Sequence, residues 1–157
     1  MNNASRRDAL KAGGSLGLFS ALVAIGLVKP GDAWADAWNK GAFETKSVAD
    51  ALKALGASTP TMSADVIITA PDIAENGAVV PVAAVSKIPK TQQIAYLIEK
   101  NPNTVTAVFD IPPGTLAEVQ TRVKMGQTSN VMILVKADGK YFAAQKEIKV
   151  TVGGCGG

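Results

Sequence analysis

The sequence predicts a mainly β protein: an immunoglobulin-like antiparallel β-sandwich with a short N-terminal helix, preceded by a cleaved signal peptide. Three observations carry this expectation. From Ala57 onward, short β-branched or alternating runs recur at a spacing of about 10–15 residues. Turn pairs such as Asn76-Gly77 and Asp138-Gly139 punctuate them. Ahead of Asp36 lie a charged start, a short apolar middle and a small-residue end, which is the pattern of an export signal.

The first element is that signal, residues 1–35. Ser5-Arg6-Arg7-Asp8-Ala9-Leu10-Lys11 precedes the glycine-containing apolar run 12–28, and Ala33-Trp34-Ala35 fits a small-x-small cleavage site. The Arg6-Arg7 pair resembles the twin-arginine export motif, with Ala9 standing where an aromatic or large apolar residue is usual. The competing reading is a membrane anchor. A 17-residue run with four glycines is marginal for a bilayer core of about 30 Å, so cleavage before Asp36 and no stable membrane association are expected. The 157-residue chain carries a formal net charge of +3. Removing residues 1–35 leaves twelve basic and eleven acidic residues, so the basicity points to no nucleic-acid partner. What remains is one domain, long enough for a real core.

Residues 36–57 form the helical segment. Ser47 is a candidate cap with Asp50 three residues on, Val48, Leu52 and Leu55 share a face, and Gly56 is placed to end the helix. Trp38 and Phe43 are expected to make core contacts. Residues 58–152 form the β domain. Val66–Ala70 is expected to hairpin through Asn76-Gly77 into the strand 79–85, with Pro71 and Pro81 marking a sheet edge. A strand over 93–98 puts Ile94, Tyr96 and Ile98 on one face, and another runs over 104–111. Residues 118–124 place Val119 and Val123 opposite Arg122 and Lys124. Residues 130–136 are the most apolar and should be central. Asp138-Gly139 turns into the last strand, which ends at Val152 after the alternating run 147–152.

The chain then reads Gly153-Gly154-Cys155-Gly156-Gly157. Glycine has wide backbone freedom and no Cβ to shield a neighbour, so these residues are read as a flexible arm carrying one sulfur. Absences narrow its chemistry. There is no histidine, hence no Cys–His or Ser–His pair and no His-based metal site within this chain. A single cysteine excludes a C-x-x-C redox pair and a thiolate cage. Asp65, Asp72, Glu75, Asp110 and Glu118 are scattered through turns and strand ends and read as solvated charges. Neither a catalytic residue nor a metal ligand is therefore expected. A free thiol has a pKa of about 8.5, and no basic residue adjoins Cys155, so activating groups would come from another protein.

On these features the chain resembles the SoxY family of thiosulfate-oxidation carriers. The likeness runs through Ser47-Val48-Ala49-Asp50-Ala51-Leu52, residues 70–82, Lys100-Asn101-Pro102-Asn103, Thr121-Arg122-Val123-Lys124-Met125 and the closing Gly-Gly-Cys-Gly-Gly. The resemblance implies a periplasmic sulfur carrier, not itself an enzyme, exported by the twin-arginine route in complex with SoxZ. It implies that SoxAX oxidatively joins thiosulfate to Cys155, that SoxB hydrolyses off the sulfonate as sulfate, and that SoxCD, where present, oxidises the remaining sulfane sulfur. SoxB then releases a second sulfate. No cofactor beyond these covalent sulfur adducts is implied. Two other classes fit some of the residues. Gly156-Gly157 is similar to the di-glycine tail of β-grasp sulfur carriers, which are charged by ATP-dependent enzymes, and Cys155 also suits a structural intermolecular disulfide.

Overall fold

The computed structural model describes residues 39–151. Two short helices come first, α1 (Lys40–Phe43) and α2 (Val48–Ala54). Nine strands follow: β1 (Thr61–Met62), β2 (Val66–Thr69), β3 (Ile73–Ala74), β4 (Val80–Ser86) and β5 (Thr91–Ile98), then β6 (Val105–Asp110), β7 (Glu118–Val123), β8 (Ser129–Ala137) and β9 (Lys140–Val150). The larger sheet has the order β1-β9-β8-β5-β6, with β3 also paired to β9; the smaller is β2-β4-β7. This is the two-sheet, mainly β architecture that the periodicity predicts.

Alternation sorts the side chains of the larger sheet into two layers. Ile94, Tyr96, Ile98, Val131, Ile133, Val135 and Ile148 face the smaller sheet and pack with its Val80, Val82, Ala84 and Val123. Ala95, Leu97, Leu134 and Ala143 point the other way, onto Ala42 and Ala51 of the helices, with Phe43, Val48, Leu52 and Leu55 around them. The domain is thus three layers: helices, large sheet, small sheet. β8 lies between β9 and β5, the central place expected of the most apolar run. Tyr96 crosses between the sheets, its hydroxyl donating to the Val119 carbonyl at 2.7 Å and its ring meeting Phe109 edge-on at 5.7 Å.

The Ser47 cap is present: its hydroxyl accepts from the Asp50 amide at 3.1 Å, and Gly56 follows the helix with φ of 77°. The helical segment is not one helix, however. Asn39 caps α1, whose Ala42 carbonyl accepts from the Thr45 hydroxyl and amide, and the chain turns there before Ser47 starts α2. Trp38 lies outside the described residues; Phe43 packs on the helix-side core as expected. The Asp138-Gly139 turn joins β8 to β9 with both residues at positive φ, 49° and 75°.

Four expectations need correcting. β2 and β4 do pair antiparallel, from Val66↔Ser86 to Thr69↔Ala83, but Asn76-Gly77 is not their turn. Residues 70–79 make a longer excursion that visits β9 through β3. Pro71 sits in this excursion, outside any strand, whereas Pro81 sits in β4 beyond the end of β2, with a strand neighbour on one side only. Finally, the pairings are not all antiparallel, since β1 and β3 each meet β9 in parallel over two residues. β9 ends at Val150, with Thr151 beyond it.

Candidate functional site

Cys155 and its flanking Gly153, Gly154, Gly156 and Gly157 lie outside the described residues, as do Arg6, Arg7, Ala33 and Ala35. What the structure does define is the base from which the cysteine-bearing segment leaves the domain. β9 runs along β8 until Ser129↔Ile148, where β8 begins and the ladder ends. Val150 therefore extends past its main neighbour, and other groups take over.

On one side the Thr128 hydroxyl accepts the Val150 amide at 3.0 Å. On the other, the 70–79 excursion lies alongside as β3. The Lys149 amide donates to the Asp72 carbonyl at 2.9 Å, and the Thr151 amide to the Ala74 carbonyl at 3.1 Å. The excursion is held in turn at its far end, where the Met125 amide donates to the Gly77 carbonyl at 2.7 Å. Gly77 is required there by close approach: a Cβ would collide with the Met125 carbonyl oxygen and come within 2.7 Å of a Val150 methyl. The conformational signal in Asn76-Gly77 is real, but a packing contact explains the glycine. Asn76 supplies the turn itself, its side-chain oxygen accepting from the Ala78 amide at 2.9 Å.

A lysine that sequence reasoning missed completes the base. Phe142, Ala144, Lys146, Ile148 and Val150 occupy alternate positions of β9 and face the inter-sheet core. Lys146 is the one charged member of that row. Its side chain is 30% exposed, and its ammonium donates to the Ala70 carbonyl at 2.6 Å and meets the Asp72 carboxylate at 2.9 Å. A charge in an apolar row costs free energy unless partners satisfy it, and here both partners belong to the excursion. The signal available in the sequence was parity: one lysine at the i, i+2 positions of an otherwise apolar row.

The described surface carries open depressions, of which two bear on this region's neighbours in the sheets. A cleft of about 240 Å³ is lined by Val48, Glu99, Asn130, Met132 and Gln145. A groove of about 540 Å³ lies over Pro81, Gln120, Thr121 and Arg122. Asp65, Asp72, Glu75, Asp110 and Glu118 are exposed and are not brought together. Among the described residues no three acidic or metal-binding side chains converge, and no helix is long and apolar enough to cross a membrane.

Comparison with known proteins places this geometry. Among solved structures, the sulfur carrier protein SoxY from Chlorobium limicola f thiosulfatophilum is 39% identical with a TM-score of 0.60, the match covering 66% of this chain and 94% of that one. A variant of superoxide reductase (neelaredoxin) from Ignicoccus hospitalis is 19% identical with a TM-score of 0.50, covering 63% of this chain and 87% of that one, a likeness of fold alone. No curated protein matches the chain. The family model described as sulfur oxidation protein SoxY matches residues 51–155, from α2 to the single cysteine. With that match over about two thirds of its length, the chain belongs to the SoxY family of sulfur oxidation proteins.

Proposed function

We propose that this protein is a periplasmic carrier for sulfur oxidation, with Cys155 as the covalent attachment point and residues 153–157 as the arm that presents it. The single observation that carries the reading is that the SoxY match runs to Cys155 itself. The described base agrees with it: the end of β9 is held on both sides through Val150, Thr151 bonds to Ala74, and Cys155 is the fourth residue beyond Thr151. Four residues span at most about 14 Å. A tether of that length keeps an adduct at high effective concentration near a docked enzyme.

In this reading the protein is an acceptor, and partner enzymes supply the catalysis. The cytochrome complex SoxAX oxidatively couples thiosulfate to the thiol, forming an S–S bond with release of one proton and two electrons, for which that complex is the acceptor. SoxB then adds water to the terminal sulfonate, releasing sulfate and leaving a persulfide on Cys155. SoxCD oxidises that sulfane sulfur where it is present. SoxZ is the stable partner, and export by the twin-arginine route, directed by Arg6-Arg7 and ended by cleavage at Ala33-Trp34-Ala35, delivers the folded pair.

Intact mass measurement of the protein purified from thiosulfate-grown cells tests this. The expected result is a set of reductant-labile additions of sulfur and thiosulfate, lost in Cys155→Ser. Sulfur on the C-terminal carboxyl would instead indicate a thiocarboxylate carrier. A disulfide dimer unaffected by sulfur supply would indicate a structural cross-link.

A further inference from the structure

The geometry points to Lys146 as the positioning residue that sets where the carrier arm begins, by tying residues 70–76 across the end of β9. This rests on the arm reading above and adds to it the residue that fixes the arm's free length.

The end of β9 is weakly held by its own sheet. β8 stops at Ser129↔Ile148, and β3 contributes only the pairs Ile73↔Lys149 and Ala74↔Val150. A two-residue parallel pairing does not hold by itself, because the cost of ordering it exceeds what two bonds return. Lys146 supplies an anchor just upstream. It sits on β9 of the large sheet and reaches residues 70 and 72, which directly follow β2 of the small sheet, so it also ties one sheet to the other. The stronger of its two contacts is the short bond to the Ala70 carbonyl. The Asp72 carboxylate is 88% exposed, so that ion pair is screened by solvent.

With the excursion in place, the chain is held through Thr151 and four residues reach Cys155. Without it, the bonds at Lys149 and Thr151 are lost and the last residue held is Val150, through Thr128, five residues before Cys155. Effective concentration falls roughly as the −3/2 power of tether length, so presentation of the thiol would weaken by about 1.4-fold and its reach would become less defined.

Lys146→Met keeps the stem and suits an apolar row, so the fold should survive it. Hydrogen exchange on the full chain is the first readout. The Lys149 and Thr151 amides should exchange about tenfold or more faster in Lys146→Met, with the β5 and β8 amides unchanged and protection restored in Lys146→Arg. The second readout is the distance distribution between nitroxides on Cys155 and on an introduced Lys140→Cys. Residue 140 lies about 35 Å from the end of β9 at roughly 3.3 Å per residue, and the distribution should broaden in Lys146→Met. Unchanged protection at 149 and 151 would overturn the proposal, as would a uniform loss across β5, β8 and β9. Neither measurement depends on sulfur: failure to find adducts on Cys155 would remove the carrier reading and leave the tie standing.

Discussion

Gly77 shows at the residue scale how a turn signal and a packing requirement can look alike. Its φ is not in the positive range that a primed hairpin turn needs, whereas Asp138 and Gly139 at the other turn are both positive. An added methyl at Gly139 would meet nothing within 4 Å, but at Gly77 it would collide with the Met125 backbone. Gly77→Ala should therefore destabilise by about 2 kcal/mol through overpacking, seen as a Tm lower by roughly 6–10 °C. Because the displaced neighbours include Val150, exchange at the end of β9 should rise with it. The type of residue was legible at position 77; the reason was not, since Met125 is 48 positions away in the sequence.

Among the elements, the best-read ones are those with their own periodicity. β5 and β8 show their alternation directly, and the faces assigned to Ile94, Tyr96 and Ile98 are the ones buried between the sheets. α2 was legible from Ser47 and Asp50: the Ser47 hydroxyl accepts from the Asp50 amide and donates to the Asp50 carboxylate. A seven-residue helix has little stability of its own and depends on that cap and on packing through Ala51. Ser47→Ala should cost about 1 kcal/mol, measured as a shift in urea midpoint with unchanged slope. β1 and β3 were missed because two residues carry no period. They are strands only because β9 offers them an edge.

For the whole molecule, the contact between the two sheets sets the response to alkali. Tyr96 is fully buried, and burial pushes its phenol from 10.0 up to about 12, with the Ala84 backbone pulling weakly the other way. The unfolded chain loses this proton near pH 10 and the folded protein only near pH 12. The contribution of Tyr96 to stability is therefore complete below pH 10 and is lost as pH rises from 10 to 12, by on the order of 3 kcal/mol. Denaturant titrations across that range should show the loss in the native protein. In Tyr96→Phe, which also gives up the hydroxyl bond to Val119, this part of the pH dependence should disappear.

The sequence by itself determined the types of the longer elements, the central place of β8, the cap at Ser47, the turn at Asp138-Gly139 and the position of the single cysteine in a glycine-rich end. These are local: each follows from residues within a few positions of one another. Only the tertiary structure decided that residues 70–79 leave the small sheet to brace β9, that Gly77 is there to admit Met125, and that Lys146 faces the core with its charge satisfied. Those depend on segments 48 to 77 residues apart meeting in space, and no local pattern encodes which distant carbonyl a lysine will find.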